Sequence, residues 1–284
     1  MEILSVKNLK KHYPQFDLKD VSFSLEQGYI MGFIGSNGAG KTTTLKSMLG
    51  MVHKDSGTVS MLGMDFAQHE LEIKQHIGFM FGGVDYYAKT KIRTITDVVR
   101  RFYHEWDDSI YQKYMKRFAL DDNKRPSELS SGMRIKYSLV LALSHRAKLL
   151  LLDEPTSGLD PVARDNLLEL FQEFIEDGER SILFSTHITS DLEKCADYIT
   201  YIERGCIIES RTKDDLLQAY RLVKGTSEQL APLQARLIAS KSHAYGFSGL
   251  IKTAELDPGD RLEIEEPTLE DIMIYYAKKE GLNE

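Results

Sequence analysis

Cysteine is nearly missing from this chain: Cys195 and Cys206 are the two it has. They make neither a disulfide framework nor a metal-ligand spacing, which fits a reducing compartment. Long apolar runs are missing too. The richest stretches, YSLVLALSH and KLLLLDEP, fall well short of the ~20 residues a membrane-spanning helix needs. Any role at a membrane is therefore expected to come through a partner. The opening MEILSVKNLK has no apolar core of a secretory signal. Positive charge is not in excess. The formal net charge is −7, which argues against a broad grip on nucleic acid. No short-period repeat or low-complexity tract appears. What is present is 284 residues, 42% of them apolar, ample for the core of one large domain or two smaller ones. An ordinary soluble cytoplasmic protein is expected.

Periodicity organises the chain. EILSVKNLKKHY and LKDVSFSLEQG alternate apolar and polar residues like antiparallel strands, and YIMGFI is a near-continuous apolar strand. A Gly-rich turn follows, then KTTTLKSMLG, a short helix stopped at Gly50. Thr94 and Asp97 suggest a capping pair opening a helix through Ile95, Val98, Val99, Phe102, Tyr103 and Trp106. A second short helix runs through Ile110, Tyr114 and Phe118. In ELSSGMRIKY, two serines and a glycine start a third helix with almost no side chain over its N-terminus. Unpaired N–H groups and the positive end of the helix dipole there suit an anion.

Buried strands separated by helices then return: KLLLLDE, DNLLELFQEFIEDG, RSILFST and DLEKCADYI, with ITYIERGCIIES as a hairpin through Arg204 and Gly205. Such alternation predicts a mostly parallel sheet covered on both faces. The helical section at about 84–145 is an inserted subdomain. After YRLVKG the character changes. SEQLAPLQARLIAS suits a helix, LIKTAELDPGDRLEIEE two strands around a Pro-Gly turn, and PTLEDIMIYYAKK a helix capped by Thr268 and Asp271. Residues 1–223 and a small α/β appendage at 224–284 are the expected domains.

GSNGAGKT, residues 35–42, matches the P-loop spacing G-x-x-x-x-G-K-[ST] between a strand and a helix. Gly35, Gly38 and Gly40 would let the backbone wrap phosphates, Lys41 would neutralise them, and the Thr42 hydroxyl would ligate Mg2+. A P-loop needs a second metal anchor at a neighbouring strand end, and LLLLDEP supplies Asp153, followed by Glu154. Asp153 would hold Mg2+ and Glu154 would orient or deprotonate the attacking water. Alone, a strand ending in Asp-Glu is a solvated edge; beside a P-loop it is the expected complement. His187 ends SILFSTH, within reach of a γ-phosphate or that water.

These motifs, in this order, resemble the ATP-binding subunit of an ABC transporter over about residues 1–223. The expected fold class is therefore α/β: a P-loop NTPase core with a mostly parallel sheet, an antiparallel β subdomain, an inserted helical subdomain and a C-terminal α/β appendage. By that resemblance Ser36, Asn37, Ala39 and Thr43 complete the nucleotide-binding loop, and Tyr13 stacks on adenine. Asp160, in SGLD, helps couple two sites, and His187 is the switch histidine. The resemblance implies ATP and Mg2+ as cofactors. It also implies a head-to-tail dimer of identical or different chains, in which Ser130, Ser131 and Gly132 bind the γ-phosphate of ATP held by the opposite subunit. Integral membrane subunits would be the other partners, met by the helical subdomain, with the chain peripheral on the inner face of the plasma membrane. The ending EEPTLEDIM resembles tails of the subfamily serving separate, export-type membrane proteins for drugs, lantibiotics and peptides.

Two departures stand out. Ser131 and Met133 replace the third and fifth residues of the usual L-S-G-G-Q signature, leaving Ser130 and Gly132. In IGFMFGGVDYY the family's glutamine, expected at about Gly82 or Gly83, is absent; either Asp85 supplies an oxygen through water, or coupling relies on the flexible di-glycine itself, or the loop is a plain turn. A soluble ABC-type ATPase uncoupled from transport and a weakly hydrolysing regulatory subunit remain as alternatives.

Overall fold

Residues 1–82 and 87–281 are described by a computed structural model of the chain. Gly83, Asp85 and the Gln position expected at 83 lie outside the described residues. The alternating N-terminal stretches form β1 (Glu2–Tyr13) and β2 (Phe16–Glu26), an antiparallel pair with Tyr13 facing Phe16 at its tip. Next come β3 (Ile30–Ile34), α1 (Lys41–Met48), β4 (Ser56–Met61), β5 (Met64–Asp65), α2 (Phe66–Gln75) and β6 (Ile77–Phe81). The helical section holds α3 (Ile92–Val99), α4 (Asp108–Arg117) and α5 (Ser131–Leu143). Strand–helix alternation resumes with β7 (Leu149–Asp153), α6 (Pro161–Ile175), β8 (Ser181–Thr186), α7 (Thr189–Cys195), β9 (Tyr198–Glu203), β10 (Cys206–Thr212) and α8 (Lys213–Gln218). The chain closes with β11 (Tyr220–Gly225), α9 (Ser227–Leu233), β12 (Leu237–His243), β13 (Gly246–Lys252), β14 (Glu263–Glu265) and α10 (Leu269–Gly281).

The central sheet has the order β10-β9-β3-β8-β7-β6. Its strands run parallel except β10, which returns antiparallel on β9. A second sheet, β2-β1-β4-β5, is antiparallel. Two cores lie on opposite faces of the central sheet, so its inner strands β3, β7 and β8 are buried on both sides. Ile30, Ile34, Leu150, Leu152 and Phe184 pack with α5, α6 and α7 on one face. Met31, Phe33, Leu149, Leu151 and Leu183 pack with α1 and the antiparallel sheet on the other. The parallel order sets the carboxyl ends of β3, β8 and β7 side by side, where open α/β sheets bind ligands.

The helix expected from a Thr94 cap starts earlier and stops sooner. Its first N–H groups are met by distant carbonyls: Ile92 donates to Lys124 at 2.9 Å and Arg93 to Asp122 at 3.0 Å. Thr94 is thus inside α3. After a 3-10 turn at Arg100–Phe102, Tyr103 leaves the helical path and its ring stacks on His145 at 3.8 Å. The helix expected over DLEKCADYI ends at Cys195, because Asp197 N–H donates to Ile30 O and its carboxylate accepts from Ile30 N–H, starting β9. SEQLAPLQARLIAS is helical only to Leu233; Leu237 onward is β12.

The third sheet is β12-β13-β11-β14. The strands expected around the Pro-Gly turn, β13 and β14, both exist but pair with β11 rather than with each other. The boundary expected at 223 falls within β11, so this sheet takes the chain from Tyr220. Its α10 packs back on the larger unit, where Tyr275 and Tyr276 join the same core as Tyr201 and Leu192.

Candidate functional site

The loop from Gly35 to Lys41 leaves β3 and turns tightly into α1. Gly38 and Gly40 sit at φ 81° and 113°, in the region that favours glycine. A methyl on Gly35 would come within 2.2 Å of the Ile202 carbonyl oxygen, and one on Gly40 within 2.8 Å of Phe16 and Leu18. Close packing on β9 and β2 thus dictates glycine at both. Nζ of Lys41 donates to Gly35 O at 2.7 Å and Ser36 O at 3.2 Å, folding the ammonium back over the loop. Gly40 gives α1 no side-chain cap and no acid occupies its first turn. The positive end of that helix therefore faces the loop uncompensated, a setting for phosphate.

Asp153 and Glu154 emerge at the end of β7, a strand whose four leucines are wholly buried. The carboxylate of Asp153 is held at both oxygens, accepting from Ser185 Oγ at 2.5 Å and from Thr42 Oγ1 at 2.7 Å. Glu154 leaves the strand at φ 50°, a left-handed conformation costing a non-glycine residue about 1–3 kcal/mol. Its N–H donates to Ser185 O at 3.1 Å and Oγ at 3.0 Å, which offset that cost. The bend sends Oε2 to Nδ1 of His187, which donates to it at 2.9 Å, and sets Oε1 3.7 Å from Nζ of Lys41. Loop, acid pair and histidine are thereby brought together.

The remaining predicted residues divide. Ser36 and Thr43 are half-buried, Asn37 is exposed and Ala39 buried along the loop. Tyr13 stands at the end of β1 with Nζ of Lys11 5.3 Å over its ring. The aromatic ring packed against Gly40 is that of Phe16, the cross-strand partner of Tyr13. Ser130 caps α5, its Oγ accepting from Met133 N–H at 3.2 Å. Gly132 and Ser131 lie against the 158–159 turn: a methyl on Gly132 would meet Leu159 at 3.1 Å, and one on Gly158 would meet Ser131 Oγ at 3.8 Å. Asp160 caps α6; accepting from the N–H groups of Ala163 and Val162 holds its carboxyl below the usual range. Among the described residues, no hydrogen bond or ion pair joins Ser130–Gly132 or Asp160 to Lys41 or Thr42. Three residues had not been singled out from the sequence: Ser185, Phe16 and the buried Glu203, whose Oε1 accepts from Ser36 Oγ at 2.7 Å. Only Ser185 carried a signal, as the small polar residue two before His187.

Beside this site, between the central sheet and the helical section, lies an apolar cleft of about 570 Å³. Phe79, Phe81, Gly82, Val99, Phe102 and Tyr103 line it. Among the described residues, no helix is long and apolar enough to cross a membrane.

A sequence profile described as "ABC transporter" matches residues 18–157. The ABC transporter ATP-binding protein YtrB of Bacillus subtilis is 34% identical over 203 residues, 72% of this chain and 69% of that protein. The Nod factor export ATP-binding protein I of Burkholderia lata is 31% identical over 234 residues, 76% of each chain. Among solved structures, an ATP-binding subunit of an ABC transporter superposes with a TM-score of 0.68 at 28% identity, covering 75% of this chain and 91% of that one.

Proposed function

Because the chain belongs to the family of ABC-transporter ATP-binding subunits and hydrolyses ATP, we propose that it powers export through separately encoded membrane subunits. The observation that carries the assignment of roles is the convergence of Lys41, Thr42, Asp153, Glu154 and His187 at neighbouring strand ends. Residues 35–43 cradle the phosphates of ATP, and the Lys41 ammonium pairs with them. Tyr13 stacks on the base. Glu154 takes the proton of the attacking water, and His187 holds the Glu154 carboxylate in place.

The donor set fits Mg2+. The Thr42 hydroxyl and an Asp153 oxygen, 2.7 Å apart, are hard oxygen donors, and Mg2+ commonly takes one or two carboxylates with phosphate oxygens and waters. Among the described residues, no cluster of His, Cys, Asp or Glu offers a rival all-protein cage. When bound, the ion would neutralise charge developing on the transferred phosphoryl group. Ser185 keeps Asp153 aimed at that position.

Ser130, Ser131 and Gly132 serve a second chain. The exposure of Ser130 and Ser131 at the start of α5, with no hydrogen bond among the described residues to their own chain's Lys41 or Thr42, supports a head-to-tail dimer in which each chain completes the other's site. Asp160 stands beside them to couple the two sites. The apolar cleft receives a segment of the membrane subunit, and the chain works from the inner face of the plasma membrane. Likeness to a Nod factor export protein supports the direction of transport. Co-reconstituting the chain with the membrane protein that co-purifies with it tests the whole. ATP turnover should rise on assembly, and substrate should leave the side bearing the ATPase. A membrane partner that neither binds nor alters turnover would sink the proposal.

A further inference from the structure

The end of β9 and the turn after it mount the phosphate loop at three points. Gly35 packs on the Ile202 carbonyl, Gly205 N–H donates to Ala39 O at 2.9 Å, and Ser36 Oγ donates to Glu203 Oε1 at 2.7 Å. The last is the unexpected one. Glu203 is only 8% exposed, and a buried carboxylate beside an anion site opposes the ligand and is costly to desolvate. Its place there calls for a compensating role. Ser36 supplies one: its carbonyl accepts from Lys41 Nζ at 3.2 Å and from Ala39 N–H at 3.1 Å. Fixing Ser36 therefore fixes the backbone that holds Lys41.

The other oxygen of Glu203 is linked to the C-terminal region through its own strand. Oε2 accepts from the Tyr201 hydroxyl at 3.3 Å. The buried Tyr201 ring meets Tyr276 of α10 edge-on, with centroids 5.7 Å apart. The Tyr276 hydroxyl lies 2.7 Å from that of Tyr220, whose own proton goes to Glu209. Tyr276 is thus the donor to Tyr220, and its ring is locked between Tyr201 and β11.

We propose that Glu203 is a positioning residue for ATP: it fixes the phosphate loop through Ser36, and the C-terminal helix sets Glu203 through the Tyr201–Tyr276 contact. Displacement of α10 is then felt at the nucleotide as a change in affinity. This deepens, and rests on, the assignment of residues 35–43 to the phosphates of ATP.

Titration with ATP and steady-state kinetics test it together. Glu203→Ala should raise Kd and KM roughly tenfold, as for a lost hydrogen bond to a charged group. Its kcat should stay within about twofold, because a displaced loop weakens ground and transition states alike. Glu203→Gln, whose amide oxygen still accepts from Ser36, should recover most of the loss. Tyr276→Ala should shift KM in the same direction, with no further rise when added to Glu203→Ala, since both act through one residue. Should Tyr276→Ala fail to fold, Tyr201→Phe tests the next link by removing the hydroxyl that bonds Glu203, and its KM must rise. A fall in kcat at constant KM, or additive effects of the two alanines, would overturn the proposal. Lys41→Ala separates it from its premise. Affinity lost there but kept in Glu203→Ala refutes the role of Glu203 alone. Affinity kept in Lys41→Ala refutes the phosphate-loop assignment and the role of Glu203 with it.

Discussion

Nδ1 of His187 donates to Oε2 of Glu154 at 2.9 Å, joining the ends of two parallel neighbours, β8 and β7. The bond fixes the carboxylate plane, and the left-handed backbone at Glu154 keeps that plane clear of the strand. A base needs such orientation before its pKa matters. Thr42, Asp153 and Ser185 form a second chain of hydrogen bonds alongside, so neither acid is free to substitute for the other.

Glu154→Gln should therefore keep ATP affinity while turnover falls about 10²- to 10⁴-fold, the usual weight of a general base. His187→Ala frees the same carboxylate, so kcat should drop with little change in KM. Phosphate release and nucleotide titration read both. Wild-type turnover in Glu154→Gln would place the base elsewhere.

A pH dependence of stability is built in behind the apolar cleft, where the buried His145 stacks on Tyr103. Burial lowers the pKa of His145, with a smaller push from His76, although carbonyls of Ile77 and Leu141 face its ring nitrogens at 3.1 and 3.2 Å. The folded chain then binds fewer protons than the unfolded one below pH ~6.5. Stability is lost as pH falls from there towards the lowered folded value. Thermal midpoints between pH ~7 and ~5 should decline less steeply in His145→Gln than in the wild type. Parallel declines would mean that other groups govern the loss.

Phe102 is 69% exposed at the rim of the cleft. Phe102→Glu places a charge where an apolar partner segment would have to desolvate it. Co-purification of the membrane subunit should be lost while the free chain continues to hydrolyse ATP. Retained assembly would move the docking surface away from this cleft.

Among the described residues nothing lies within 4 Å of a Cβ placed on Gly82, but its φ is +65°. Glutamine fits there sterically, yet the left-handed backbone costs it about 1–2 kcal/mol. Gly82→Gln should lower the thermal midpoint and leave turnover unchanged or reduced. Faster turnover would show that the site lacks only a ligand.

What the sequence made legible was whatever depends on local spacing. The 35–42 loop, the LLLLDEP strand, the start of α5 in ELSSGM and the Arg204-Gly205 turn all lie where period and turn chemistry put them, although Ser130 caps that helix where the sequence suggests bare N–H groups. What escaped depends on contacts distant in the chain. The start of α3 is fixed by carbonyls of Asp122 and Lys124, and Tyr103 is turned out of the helical path to meet His145. Glu203 looks like any polar residue before a hairpin turn until Ser36 is found against it. Pairing of β13 and β14 with β11 is likewise a matter of sheet order, which periodicity does not encode.

The trans assignment of Ser130–Gly132 has the sharpest test. Lys41→Ala ruins a chain's own phosphate loop and leaves its α5 N-terminus intact. Ser130→Arg does the reverse, removing the Met133 cap and placing a bulky side chain where phosphate would meet the helix. Each variant alone should be nearly inactive, because every site in its homodimer has one damaged half. In a mixed dimer one site combines both damaged halves, and the other pairs a sound loop with a sound α5. Mixing the two inactive variants should therefore restore ATP hydrolysis. A covalently linked pair of wild-type and doubly substituted chains controls for a dimer that needs both sites. It should be inactive if sites are shared across chains, and about half as active as a linked wild-type pair if each chain carries its own. Activity in the linked pair with none in the mixture would return Ser130–Gly132 to the site of their own chain.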